Sequence, residues 1–383
     1  MLPSPRKILV TIPTINRPER LKLDGILAYA HEKRGRKWNI ALDFAALSGR
    51  PATRSLSDYD GIIAYVDGDR RRMELVAAGR PVVLIEDLLA PSRVPRDAHA
   101  LTLLCDHAAE GRTAADYFLG RHFRSFAWLG LAEETEWSRG RRDGFADALS
   151  QAGYRVADFA SSRLPLSDWL RSLPRPTALF AACDFRAREA LEAATLAGLQ
   201  LPGDLAILGV DDDTALCTTV SPALSSLPTN DWRLGYDAGR LLNELLEKRR
   251  RGGRVVKVAA RHVVSRLSTD ADALDDRFVA EALRYARNNL SSKLDAASLA
   301  RRTGYSKRLL QLRTERALGH SLGLEIRRLR LDAALDRLAQ TNQPIADIAA
   351  ACGFTSTSHL SLRVKEATGL TPLGYRSSQA FIS

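Results

Sequence analysis

From its start to about Val264 the chain repeats one unit, a short apolar run followed by an amphipathic stretch of helical period. The apolar runs occupy residues 8–12, 61–65, 81–85, 101–104, 126–129, 178–182 and 205–210, with helix-like stretches at 18–31, 108–119, 141–152, 186–197 and 233–248. Apolar strands linked through crossover helices imply parallel sheets covered on both faces, and the handedness of such crossovers makes a doubly wound arrangement the expected one. Seven strands over some 260 residues fit two lobes better than one sheet. Ligands of open α/β sheets bind beyond the carboxyl ends of the strands. The polar residues to examine are therefore Asn16 and Glu19, Glu86 and Asp87, Asp106 and His107, Asp184, and Asp211 to Asp213.

After Val264 the rhythm changes. Residues 266–274 are polar and read as a linker, and 275–383 show helical periods separated by Gly and Pro turns, with no β-rich run. This divides the chain into an α/β domain of two lobes (1–265), the linker, and an all-helical domain (275–383). The chain carries a net charge of +11, and residues 271–383 hold 17 Lys and Arg against 11 Asp and Glu. A polyanionic partner fits that excess.

Within the helical part, 294–303 reads as a helix started by Asp295 and ended at Gly304, a position suited to a left-handed residue. Ser306 caps the next helix, 307–318, which is expected to turn Leu309, Leu310 and Ala317 inward and to carry Lys307, Arg308, Gln311 and Arg313 toward its start. The pattern recurs in 345–351, a turn at Gly353, and a helix over 358–367. Ala300 precedes Gly304 by four residues, as Ala349 precedes Gly353, so two helix-turn-helix units repeat at an interval of 49. Between them, the amphipathic pattern of 322–339 would span roughly 27 Å, close to the roughly 34 Å between successive major-groove faces of a duplex.

The run GFTSTSHLSLRVKEATGLTPLGYR at 353–376, with SLARRTGYS at 298–306 and LDAALDRL at 331–338, resembles the signature of AraC-family transcription regulators. His359 and Leu360 stand where that family often has Tyr-Phe, and Val364 where it often has Phe; all three read as packing substitutions. The resemblance implies base-facing Arg308, Gln311 and Leu312 in the first recognition helix and Thr357, Ser358 and Leu362 in the second. It implies phosphate contacts from Lys307, Arg313, Arg363 and Lys365.

The first half resembles LacI-type and ribose-binding-type domains through RRDGF at 141–145, Cys183-Asp184, LGVDD at 208–212, PALSSL at 222–227 and RLKLDGI at 20–26. That implies a periplasmic-binding-protein-like fold whose two lobes close on a sugar. Asp106, Arg141 and Asp211 would hold hydroxyls, Trp137 would offer a flat face, and Asp184 would either contact sugar or cap a helix. Asn16 and Glu86 complete the candidate set. Cys183 stands where an Asn is often found, which bears on the identity of the sugar.

The two halves together resemble bacterial regulators of pentose operons. The implied effector is a xylose-like pentose, and the implied partners are operator or promoter DNA, a second copy of the chain and RNA polymerase, in an activator. A second reading gives the first half an enzyme-like or nucleotide-sensing role. Cys105 follows a strand and precedes a helix as an elbow nucleophile would, but Leu104 and Asp106 flank it where small residues are needed. No GxGxxG follows a strand. The four cysteines form no CxxC pair, so neither a metal site, a cofactor nor a disulfide framework is expected. With no secretory signal or membrane-spanning run in the sequence, the expectation is a cytoplasmic regulator without catalytic residues.

Overall fold

The computed structural model describes residues 5–32, 38–43, 55–66, 69–86, 99–249, 255–258, 263–271, 273–274, 276–292, 294–341 and 343–379. They divide into two compact units. The first unit, residues 1–112, 133–145 and 229–260, holds a parallel sheet of six strands: β1 (Arg6–Thr11), β2 (Trp38–Leu42), β3 (Gly61–Tyr65), β4 (Val82–Glu86), β5 (Ala100–Cys105) and β11 (Val255–Val258). Their order is β11-β5-β4-β3-β1-β2, and the reversal between β1 and β3 is the switch point of a doubly wound sheet. Ile62, Ile63, Val83 and Leu84 are fully buried because helices cover both faces. On one face α1 (Arg17–Glu32) crosses α8 (Asp231–Leu246). There Lys22 and Asp231 form an ion pair of 2.6 Å, with both side chains buried.

Two further helices start in the first unit and end in the second, α3 (His107–Leu119) and α4 (Glu136–Gln151); α2 (Asp69–Ala77) packs beside β4. The second unit, residues 113–132, 146–228 and 261–383, holds β6 (Phe126–Leu129), β7 (Val156–Asp158), β8 (Thr177–Ala181), β9 (Leu205–Val210) and β10 (Ser225–Leu227) in the order β10-β9-β8-β6-β7. Helices α5 (Leu166–Ser172) and α6 (Asp184–Leu196) pack Trp169, Ala187 and Ala190 on Leu179 and Ile207, and a single turn, α7 (Thr214–Cys217), follows β9.

All seven anticipated strands form. The four strands not anticipated, β2, β7, β10 and β11, are the edge strands of the two sheets; β10 begins with two serines whose hydroxyls are bonded inside the fold. The polar stretch after Val264 is equally well satisfied. Ser268 and Thr269 are buried, the Ser268 hydroxyl donates to the Ile207 carbonyl at 2.6 Å, and Val264 bridges to Ser226.

The C-terminal region is α9 (Arg277–Asn288), α10 (Ala296–Thr303), α11 (Lys307–Leu318), α12 (Leu322–Gln340), α13 (Ile345–Ala351), α14 (Thr357–Thr368) and α15 (Pro372–Gln379). It has two cores. Val279, Leu283, Leu299, Leu310, Leu322 and Ile326 close around the first helix pair, and Ala334, Leu338, Ile348, Leu360, Val364 and Tyr375 around the second. The central helix α12 contributes to both, so it fastens the two pairs rather than merely spacing them. Leu360 and Val364 fill the second core, as expected of packing substitutions. Leu309 departs from expectation at 40 % exposure, because Leu310 and Thr314, four residues apart, define the buried stripe of α11.

Candidate ligand site and nucleic-acid interface

The first-unit candidates lie at strand and helix ends. Asn16 is exposed just before α1, and its amide donates to the Glu19 carboxylate at 3.0 Å. Glu86 ends β4, and its side chain lies outside the described residues, as does Asp87. Asp106 follows β5 and accepts from the Ala109 amide at 3.0 Å, which caps α3.

At the crossing of α3 and α4 the backbones touch. A Cβ on Gly111 would lie 2.1 Å from the Arg141 carbonyl oxygen, and one on Gly144 would lie 2.1 Å from that of Ala108. Only glycine permits this approach. It brings Glu110 onto Arg141, whose Nε donates to Glu110 Oε2 at 2.7 Å, while the His107 Nδ1 lies 2.9 Å from the same oxygen. All three side chains are buried. Burial pushes the Glu110 carboxyl up, but the charges of Arg141 and His107 outweigh it and hold the group at about 2. The Arg141 guanidinium also lies 4.8 Å from the centre of the Trp137 ring, a cation–π arrangement. Arg141, Trp137 and the start of α3 thus form one constellation; His107 was among the polar residues singled out after a strand, whereas Glu110 escaped the sequence reading.

In the second unit, Asp184 is 1 % exposed and both its oxygens are occupied. Oδ1 accepts from the Ser226 hydroxyl at 2.5 Å, and Oδ2 accepts from the Asp213 amide at 2.7 Å and the Cys217 thiol at 3.3 Å. Burial raises its acid to about 6 against these hydrogen bonds. Asp184 therefore fastens the loop after β9. That loop carries Asp211 and Asp212 at φ 106° and 50°. Non-glycine residues there are strained, typically by about 1–3 kcal/mol each, and need outside support. The Asp211 amide donates to the Leu227 carbonyl, the Asp212 amide donates to the Ser226 hydroxyl, and Arg266 pairs with the Asp212 carboxylate at 2.7 Å. The backbone of both residues and the Asp212 carboxylate are thereby held in place at a strand's carboxyl end.

The helical region displays the expected turn chemistry. Asp295 and Ser298 form a capping box, Gly304 and Gly353 adopt φ 75° and 74°, and Ser306 and Ser356 cap α11 and α14. At the start of α11, Lys307, Arg308, Gln311 and Leu312 are exposed; at the start of α14, Thr357, Ser358, Leu362 and Lys365 are exposed. Arg363 pairs with Glu366 at 2.8 Å. Arg313 is drawn toward α9, with its guanidinium 4.7 Å from the Phe278 ring centre and 3.5 Å from Asp276. Leu312 and Leu362, each 55 % exposed, are apolar residues at corresponding places on the two helices. Among the described residues no cluster of His, Cys, Asp and Glu is placed to hold a metal ion, and no helix is long and apolar enough to cross a membrane.

Two parallel α/β sheets followed by paired helix-turn-helix units define a DNA-binding regulator with a periplasmic-binding-protein-like sensor. Residues 115–269 match the family described as periplasmic binding protein-like domain, and 299–378 match a helix-turn-helix domain. The chain is 26% identical over 374 residues to the xylose operon regulatory protein of Escherichia coli strain K12, covering 94% of this chain and 93% of that protein. It is 33% identical over 113 residues to the multiple antibiotic resistance protein MarA of Salmonella typhimurium, covering 30% of this chain and 85% of MarA. The solved structure of the xylose-binding transcription activator XylR shares the fold over 100% of both chains, with a TM-score of 0.61 at 24% identity. The chain belongs to the AraC family of transcription regulators and carries a periplasmic-binding-protein-like domain.

Proposed function

We propose that this regulator is an activator switched by a xylose-like pentose in the cytoplasm, acting as a homodimer on promoter DNA and engaging RNA polymerase there. Asp106, Arg141 and Asp211 hold the sugar's hydroxyls, since carboxylates accept from paired hydroxyls and guanidinium donates in a fixed fork. Trp137 packs on the sugar's C–H face. Asp184 serves the same site indirectly by fixing the loop that carries Asp211. On the DNA side, Arg308 and Gln311 read base edges, and Thr357 and Ser358 contribute from the second helix. Lys307, Arg363 and Lys365 contact phosphates.

The observation that carries this reading is the buried Glu110–Arg141 pair set against Trp137, in a chain similar from end to end to regulators named for xylose. Calorimetric titration with a panel of pentoses and hexoses tests it. Micromolar binding of one pentose is expected. Absence of binding by every monosaccharide at millimolar concentration overturns the sugar reading and favours a non-sugar metabolite.

A further inference from the structure

Glu110 is a buried carboxylate that the proposed sugar contacts do not use. It meets the Nε edge of Arg141 at 2.7 Å and His107 at 2.9 Å, where Gly111 and Gly144 let the two helices touch. Buried ion pairs contribute little net stability over an apolar replacement, so stability alone explains the arrangement poorly. It does fix the roll of the guanidinium, with one edge bound to Glu110 and one face on Trp137. We propose that Glu110, supported by His107, is a positioning residue that sets which hydroxyl stereochemistry the sensor accepts by orienting Arg141. This rests on the sugar reading.

The test is calorimetry of the full-length protein with epimeric pentoses, comparing wild type, Glu110→Gln, Glu110→Asp and His107→Gln. Glu110→Gln is expected to weaken binding about tenfold or more, as loss of an orienting partner does elsewhere, and to bring the affinity ratio between epimers toward one. Glu110→Asp restores part of that ratio because it restores the charge, and His107→Gln shifts it less than Glu110→Gln. A purely structural role would lower the melting temperature without moving the ratio. A wild-type ratio in folded Glu110→Gln overturns the proposal, as does a wild-type ratio in His107→Gln should Glu110→Gln not fold. Wild type that binds no sugar overturns the sugar reading itself and this proposal with it.

The far end of α3 carries a different cluster. The Gly120 carbonyl, just past α3, accepts from Arg328 Nη2 of α12 at 2.7 Å. Arg328 also pairs with Glu325 and Asp332. Glu325 is fully buried, with His320 at 2.9 Å and His122 at 3.9 Å. The Arg121 carbonyl accepts from the Ala273 amide, tying the same corner to the chain that leads into α9. One 13-residue helix, about 20 Å long, therefore starts beside Asp106 and ends on the DNA reader's central helix. We also infer that Arg328 and Glu325 latch the reader to the turn that follows α3, restraining it until ligand displaces α3.

DNA-binding titrations of Arg328→Leu with and without pentose test the latch. The ligand-free variant is expected to bind promoter DNA about as tightly as ligand-bound wild type, with at least half of the ligand-induced change lost. Hydrogen exchange at His122 and Phe123 in the ligand-free variant is expected to be at least tenfold faster than in wild type, a readout independent of the effector. A wild-type ligand response, or unchanged exchange, overturns the latch.

Discussion

Replacing Gly144 by Ala puts a methyl group 2.1 Å from the Ala108 carbonyl oxygen. An ordinary carbon–oxygen contact is about 3.4 Å, so α3 and α4 must part by roughly 1.3 Å. The Arg141–Glu110 hydrogen bond, 2.7 Å long, spans the same crossing. An opening of that size carries it beyond hydrogen-bonding range and leaves two buried charges without each other. Breaking a buried pair costs about 3–5 kcal/mol, and overpacking costs about 1–3 kcal/mol. The two effects share one displacement and do not add, so a total of about 3–5 kcal/mol is expected. Urea unfolding of the full-length protein, followed by far-ultraviolet circular dichroism, measures it. Gly323 in α12 is the control. A Cβ there meets nothing within 4 Å, so Gly323→Ala is expected to be neutral or to stabilise by up to about 1 kcal/mol. A Gly144→Ala protein within 1 kcal/mol of wild type would refute the backbone contact and the geometry built on it.

On the DNA side, Arg308→Ala should lower specific promoter affinity by about 1–3 kcal/mol, roughly 5- to 150-fold, and relax preference at one base pair. Equal loss on all sequences in anisotropy titrations would make Arg308 a phosphate contact. The Asp184 acid is raised in the folded state to about 6 from 3.8, so its stabilising contribution is full below about pH 4 and is lost as pH rises through 6. Asp184→Asn removes that dependence, and its stability relative to wild type should climb by up to about 3 kcal/mol between pH 4 and 7; parallel denaturation profiles would contradict the buried charge. Lys22→Met leaves Asp231 buried opposite an apolar group and should cost about 3–5 kcal/mol in urea unfolding, with Lys22→Met plus Asp231→Leu recovering most of it. Failure of the double variant to recover would assign the cost to packing.

What was legible in the sequence follows local chemistry. Apolar runs such as Ile8–Val10 and Leu205–Val210 marked central strands because parallel strands are buried on both faces, and Gly304 and Gly353 marked turns because those turns need left-handed backbone. Contacts made by distant segments were hidden. Glu110 on an amphipathic helix looks like a surface residue until Gly111 and Gly144 bring α4 against it. Asp184 was visible as a polar residue after a strand, but its occupied oxygens depend on Ser226 and Asp213, 42 and 29 residues away. The resemblance implied a phosphate contact from Arg313; its packing on Phe278 was hidden because α9 was not anticipated. The polar stretch around Ser268 read as a linker because its partners, Ile207 and Ser225, lie far off in sequence.

Under the proposed function, ligand occupancy of the sensor changes how the paired helix-turn-helix units hold DNA. The direct measurement is anisotropy of labelled promoter DNA titrated with full-length protein, at fixed salt, with and without a pentose shown by calorimetry to bind. Coupling free energies of about 1–3 kcal/mol predict a shift of roughly 5- to 150-fold in DNA affinity, with a reciprocal shift in pentose affinity when DNA is present. Identical DNA affinity with the sensor empty and saturated would contradict ligand control of DNA binding.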